Sequence, residues 1–348
     1  MDVSNNSSLS ALAGPPADGG RREAEGDQAG VGWRRPGVAA LAASGVLLGG
    51  ALFWLARDPA LLAALRASLA AGLPTLYRTL VSEFFLNPWF YGVLAGVMLL
   101  ERLLPASAGQ TPLASGVRND FSWVFLKLLM HAWVLPLWVV LLRFLYGRYL
   151  DFLTIHQVDA WPRFARILLA VLLSDLLFWI THVVRHKISY LWYFHAVHHS
   201  QRELNFFTEY RVHPIDDVFL FTIGFIPLFM VEHSFVTVVA IVWIRHWHTR
   251  FYHSNIRTNL GPLRYVLVTP QSHRVHHSVE VRHHDKNFGL TFSIWDQLFG
   301  TQYRGYDEYP QTGIPDGAFP SEQESRRAGG LTTLGEQLLY PFRAIARH

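Results

Sequence analysis

Thr181-His-Val-Val-Arg-His186 and, nine residues on, His195-Ala-Val-His-His199 carry five histidines in the patterns HxxxH and HxxHH, and His273-Arg-Val-His-His277 repeats the second pattern. On an α-helix, residues four apart share a face. His182 and His186 therefore project together, and His195 shares a face with both His198 and His199. The adjacent pair His198 and His199 point about a quarter-turn apart. One HxxHH box can thus serve two metals, one histidine to one ion and its neighbour to the other. Two such boxes facing each other, with HxxxH closing the side, would make a two-metal cage of eight imidazoles.

Composition narrows the chemistry. The chain has no cysteine, which removes disulfides, thiolate-bound zinc, iron–sulfur clusters and thiolate-ligated haem. Neutral imidazole is a good ligand for iron, zinc or copper. Catalytic zinc commonly takes three protein ligands, so this many histidines oversupply it. Of 348 residues, 51% are apolar and only 16% charged, and the apolar ones come in long blocks. That pattern predicts membrane helices. The net charge of +4 is spread between those blocks, as topology signals are, and gives no nucleic-acid surface.

Outward from the boxes, the expected fold is an all-α membrane bundle of about four spans plus a re-entrant helical hairpin, capped by a cytosolic histidine-rich site. Residues 1–35 are small and polar and read as a disordered tail. A membrane region covers 36–160. In it Gly37–Ala56 is an uncharged stretch of about one bilayer thickness, preceded by Arg34 and Arg35 on the cytoplasmic side. Residues 57–83, with Arg57, Asp58, Arg66, Arg78 and Glu83, suit an amphipathic interfacial helix. Phe84–Leu100 and Phe121–Leu142 are the next spans; Lys127 near one end is placed to snorkel, and His131 lies deeper, facing other helices. The catalytic region is 161–302. Its span from Ile167 to Ile180 runs on through His186, and Val218–Val231 with Ser234–Ile244 forms the hairpin, bent by Gly224 and Pro227. A polar tail, 303–348, ends in an interfacial helix from Leu331. This count puts the N-terminus, the boxes and the C-terminus on the cytoplasmic face, although Arg143 and Arg148 then fall outside, against the positive-inside tendency.

Asp175 lies on one helical stripe with Trp179, His182 and His186, where its carboxylate could accept the outer N–H of a ligand imidazole. Glu203 and Glu209 follow the second box without a telling spacing. Trp192, Tyr193 and Phe194 read as interface anchors. His131, His156, His233, His283, His284 and His348 read as surface or interface residues.

The ordered set of boxes resembles the fatty acid hydroxylase superfamily, also called the sterol desaturase family. The likeness runs from about Asp175 to Thr301. It takes in Asp175-Leu-Leu-Phe-Trp-Ile-Thr-His182, Leu191-Trp-Tyr-Phe-His-Ala-Val-His-His-Ser200, Arg211-Val-His-Pro214, His253-Ser-Asn-Ile256, Thr269-Pro-Gln-Ser-His-Arg-Val-His-His-Ser278, Asn287-Phe-Gly289 and Trp295-Asp-Gln-Leu-Phe-Gly-Thr301. Glu101-Arg-Leu-Leu-Pro105 also looks like the family's pattern. The resemblance implies a membrane di-iron oxygenase acting on sterols, acyl chains or related lipids. The ligands it implies are His182, His186, His195, His198, His199, His273, His276 and His277, with His253 as a ninth. His213 has two readings, a further ligand or a cap for the turn set by Pro214. His246 and His248 lie near His253, but neither stands four residues before it.

The expected activity is dioxygen-dependent hydroxylation or desaturation of a lipid at two iron ions. The chain has no GxGxxG fingerprint, so electrons would come from a separate ferredoxin or small cytochrome with its reductase. Two alternatives stand beside it: a metal transporter or metal-binding membrane protein, and a zinc-type lipid hydrolase, for which no HExxH motif is present.

Overall fold

Helices make up the regular structure of the computed structural model, which describes residues 57–79, 88–110, 116–231, 235–320 and 331–347. Among these residues there is no strand, only three isolated bridges. The expected tail at 1–35, the span Gly37–Ala56, His233 and His348 lie outside them. The long helices are α1 (Pro59–Thr79), α2 (Pro88–Leu103), α3 (Arg118–Leu153) and α4 (Arg163–Lys187). Then come α5 (Ser189–His199), α6 (Pro214–Gly224), α7 (Ile226–Val231) and α8 (Phe235–His253). The short α9 (Pro270–His276) and α10 (Ile294–Leu298) precede the terminal α11 (Leu331–Arg347).

Among the described residues, four stretches are long and apolar enough to cross a membrane: Pro59–Arg78, Arg118–Leu153, Arg163–Lys187 and Pro214–Val231. Large apolar side chains such as Leu69, Leu73, Phe125 and Leu168 point outward from them, as a lipid-facing belt would. This departs from the sequence reading at three places, the first being that the expected span Phe84–Leu100 is not among the four, its described part lying in the 16-residue α2. Helix α1 was expected to lie at the interface. Asp58 instead caps it, accepting from the N–H groups of Ala60 and Leu61, and Arg78 falls in its last turn, so Arg66 is the one charge left inside. The first hairpin arm, with α6 and α7 end to end, reaches 18 residues.

Helix α3 contains two π-turns, Met130–Val134 and Tyr146–Leu150. Pro136 has no N–H to give the turn behind it, and a widened turn just before it absorbs the lost hydrogen bond. Helix α3 is tied to α6 by Lys127 Nζ, 2.6 Å from Asp217 Oδ1, and by Trp138 Nε1 donating to Thr222 Oγ1 at 2.9 Å. Lys127 therefore does not snorkel: it is buried and paired. His131, by contrast, faces Phe221 and His246 within the bundle. Helix α4 packs on α6 and α7. Gly224 allows this approach, because a Cβ there would overlap the Phe178 ring.

The terminal helix is also more than an interfacial segment. One face of α11 packs on α5 and α3. Its Gln337 is fully buried, accepting from Asn119 Nδ2 and Trp123 Nε1 at 2.9 Å each and donating to Pro320 O. Tyr193 and Phe194, expected as interface anchors, pack against Tyr340 and Phe342 of this helix.

The end of α2 docks on the turn after α8. Glu101 Oε1 accepts the Asn255 N–H at 2.8 Å, and Asn255 is bonded to Ser107 through both side-chain atoms. Burial raises the Glu101 pKa to about 7, partly countered by the Asn255 N–H. The folded chain then holds a proton between pH 4.5 and about 7 that the unfolded chain has lost, so its stability falls as pH rises through that window. Glu101→Gln should flatten this dependence, giving thermal midpoints in detergent that differ little between mildly acidic and mildly alkaline buffer. The wild type should lose stability on the order of 3 kcal/mol across the same range.

Candidate metal centre

Nine histidines converge from four helices. Helix α4 supplies His182 and His186 one turn apart, α5 supplies His195, His198 and His199, α8 ends on His253, and α9 carries His273 and His276 with His277 at its C-cap. Helix α9 starts where it does because Thr269 and Ser272 form a capping box, with Pro270 in the first turn. The nine sort into two groups. His182, His186, His195, His199 and His276 form one, and His198, His253, His273 and His277 form the other. Within each group one nitrogen per residue lies within 4.8 Å of all the others. Neighbours divide between the groups, His198 from His199 and His276 from His277, as a quarter-turn between adjacent side chains requires. His199 and His277 stack at 4.2 Å where the groups meet.

The outward nitrogens decide what the inward ones present. His182 Nδ1 donates to Phe288 O at 2.8 Å, His253 Nδ1 to Thr249 O at 2.8 Å, His276 Nδ1 to Lys286 O at 2.9 Å and His198 Nδ1 to Arg211 O at 3.2 Å. A carbonyl only accepts, so each of these rings carries its proton on Nδ1 and a lone pair on Nε2. His195 Nδ1 lies 3.0 Å from Asp216 Oδ2 and 3.1 Å from Arg185 Nη1, so a carboxylate and a guanidinium together hold this ring. Yet His198 Nε2 lies 3.3 Å from His253 Nε2 with no proton to share, and His182 Nε2 turns its lone pair toward His195 Nε2 at 3.1 Å. The Nε2 atoms of His186 and His276 are buried without a partner. Lone pairs facing one another in a buried core repel, and a cation between them turns the repulsion into ligation. The donor set therefore fits metal ions, with backbone carbonyls and one carboxylate fixing ring orientation behind it.

Burial pushes the pKa values of His195, His198, His199, His273 and His277 well below the ordinary histidine range, with charged neighbours adding to it, and that of His276 to about 4. These imidazoles are neutral near pH 7, the form that ligates. Trp192 lies against His186 and His199 rather than at an interface.

A model of the fatty acid hydroxylase family matches residues 167–301. The chain carries a fatty acid hydroxylase domain. It is 27% identical over 241 residues to an ornithine lipid hydroxylase of Rhizobium tropici, covering 68% of this chain and 73% of that protein. It is 30% identical over 146 residues to an alkylglycerol monooxygenase of Caenorhabditis elegans, but spans only 28% of it. To methylsterol monooxygenase 1 of Rattus norvegicus it is 30% identical over 149 residues, 49% of that protein. No solved structure matches.

Within the hydroxylase domain, other residues take places the sequence did not give them. The Asp175 carboxylate meets no histidine: it accepts from the N–H groups of Thr291 and Phe292 at 3.1 Å each and from Trp295 Nε1 at 2.9 Å. The carboxylate that reaches an imidazole of the two groups is Asp216, beside His195 and also held by Arg185 Nη1 at 3.0 Å. Its signal was an acid pair, Asp216-Asp217, opening an apolar run. His213 lies outside both groups. It caps α6, its Nδ1 accepting from Ile215 N–H and its Nε2 donating to Leu338 O. His248 donates to Val268 O, and His246 is 3.4 Å from Glu209. His283, expected at the surface, is buried between Ser278 and Glu308, while His156 and His284 are exposed.

Asp296 holds the wall behind His182. Fully buried, it accepts from Phe288 N–H, Gly289 N–H, Trp179 Nε1 and Thr301 Oγ1. Asp296→Ala should strand four buried donors and lower stability by at least about 3 kcal/mol, read as a shifted denaturation midpoint with altered Trp179 fluorescence.

Proposed function

We propose that this protein is a membrane-bound oxygenase that hydroxylates or desaturates a lipid at two iron ions, one held by each histidine group. The observation that carries this reading is the pair of buried histidine groups, in each of which one nitrogen per ring lies within 4.8 Å of all the others. The ligands would be His182, His186, His195, His199 and His276 for one ion and His198, His253, His273 and His277 for the other. Bound iron would supply dioxygen activation. In balance, a C–H bond, dioxygen, two electrons and two protons give an alcohol and water; desaturation removes a second hydrogen instead. Lipid specificity is supported by the three relatives, whose names each specify a lipid.

The chain's own contribution is positional. Carbonyls of Arg211, Thr249, Lys286 and Phe288 lock ring tautomers, so no imidazole proton has to move for ligation. Asp216 and Arg185, paired with each other, both hold the His195 ring at Nδ1. That pairing also weakens the hydrolase alternative, because the carboxylate nearest the centre is engaged and unsuited to act as a general base. We place the histidines on the cytoplasmic face and the electron source in a separate ferredoxin or small cytochrome with its reductase.

Purified protein should hold two iron ions per chain and, with a reductant, convert a lipid only in the presence of dioxygen. His276→Ala and His277→Ala should each lower metal content. A protein active on lipid without iron or dioxygen would overturn the reading. Asp216→Asn should weaken metal affinity by about 10–100-fold in competition titrations with a chelator while leaving the stoichiometry intact.

A further inference from the structure

Two exposed apolar regions of the hydroxylase domain differ in their setting. Val281, 81% exposed, stands among Glu280, Arg282, His284 and Asp285, on a rim that water solvates. The other region is a patch. Leu263, Tyr265, Val266, Leu298 and Phe299 are all exposed, the first three in or just after the turn Gly261–Tyr265 and the last two at the end of α10. The two segments are joined. Ser293 donates its N–H to Val266 O at 3.0 Å and its hydroxyl to Arg264 O at 2.8 Å, and Gln297 Nε2 donates to Tyr265 O. Apolar side chains gathered on one surface in this way mark a surface that something covers.

Two observations point to what covers it. The first is continuity with a membrane-length helix. The Phe299 ring stacks on Trp179 of α4 at 4.7 Å, and the next residue, Ile180, is exposed, as is Leu168 further along the same helix. Ile180 lies seven residues before the end of α4 at Lys187, about 10 Å in along the axis. On the other flank, His248 Nε2 donates to Val268 O, and Ile244, one turn earlier on α8, is exposed. The patch thus continues sideways from the outward side chains of α4 and α8. The second observation is charge. Residues 257–268 contain Arg257 and Arg264 and no acid, and the one acid of α10, Asp296, is fully buried. Large apolar side chains with tyrosine and arginine at their edge suit the boundary of a bilayer, where acyl carbons lie on one side and phosphates on the other.

We propose that these two segments insert into the interfacial layer of the bilayer, in the leaflet that holds the Lys187 end of α4, and that phospholipid covers the patch. Asp296 in α10 fixes the N–H groups of Phe288 and Gly289, and Phe288 O holds the His182 ring. Insertion of α10 therefore sets the height of the histidine cluster above the acyl chains. The proposal goes beyond the oxygenase reading and is independent of the metal and of the reaction.

The chain has no cysteine, so a single introduced one carries a thiol-reactive bimane at a known place. Leu298→Cys, Val266→Cys, Val281→Cys and Leu168→Cys are labelled in the full-length protein, in nanodiscs of phosphatidylcholine and phosphatidylglycerol. All four positions are exposed, so the label displaces no core contact. Phosphatidylcholine brominated on its acyl chains should quench the probes at Leu298 and Val266 about as strongly as the probe at Leu168. Iodide in the buffer should quench the probe at Val281 several-fold more strongly than those three. A probe at Leu298 or Val266 that brominated lipid does not quench overturns the proposal, whether iodide reaches it or a second copy of the chain covers it. Formation of a disulfide dimer by unlabelled Leu298→Cys on mild oxidation identifies the second case. Lipid quenching at Val281 equal to that at Leu298 also overturns it, because the contact would not be confined to the patch. No lipid quenching at Leu168 removes the span and the proposal together. Quenching as expected in a protein that shows no iron-dependent turnover of lipid supports the proposal and overturns the oxygenase reading alone.

Discussion

Nine buried imidazoles turned toward one another, with the protons of His182, His198, His253 and His276 held on their outward nitrogens, form an arrangement that no folded chain adopts cheaply. The Nε2 atoms of His182 and His195 approach to 3.1 Å and those of His198 and His253 to 3.3 Å, with the protons of His182, His198 and His253 committed to carbonyls on the far side. The rest of the structure can be understood as what is needed to hold that arrangement. Rings free to rotate would relieve the repulsion, and four of them, His182, His198, His253 and His276, are pinned from behind by backbone carbonyls, whose positions are fixed by the fold itself.

That requirement moves outward through successive carboxylates. Phe288 O can accept from His182 only because Asp296 fixes the N–H groups of Phe288 and Gly289. Asp175 fixes the next turn through Thr291 and Phe292, so the loop carrying that carbonyl is clamped to α4 at both ends. On the other side, Glu101 and Asn255 clasp the turn that follows His253. Buried acids are expensive unless fully hydrogen-bonded. Here each one accepts N–H or O–H donors from segments distant in sequence, which gives helices of a membrane bundle a specific fit that apolar packing alone does not supply.

Much of this centre was legible in the sequence. Histidines three or four apart share a helical face whatever the surroundings, so the boxes, and the division of neighbours such as His198 and His199 between two groups, followed from the 3.6-residue period alone. The absence of cysteine and the length of the apolar runs limited the donors and the setting just as directly. Where local periodicity carried no information, the sequence misled. Asp175 lies on the same stripe as His182, yet its carboxylate reaches across to residues 291–295. Lys127 lies near a helix end but finds Asp217, 90 positions away. His213 and His253 stand in similar motifs, and only the packing of α11 and α9 makes one a helix cap and brings the other into the cluster. Periodicity specifies which side chains leave a helix together. Which helix they then meet is a long-range property of the packed bundle, and it was the tertiary structure that decided it.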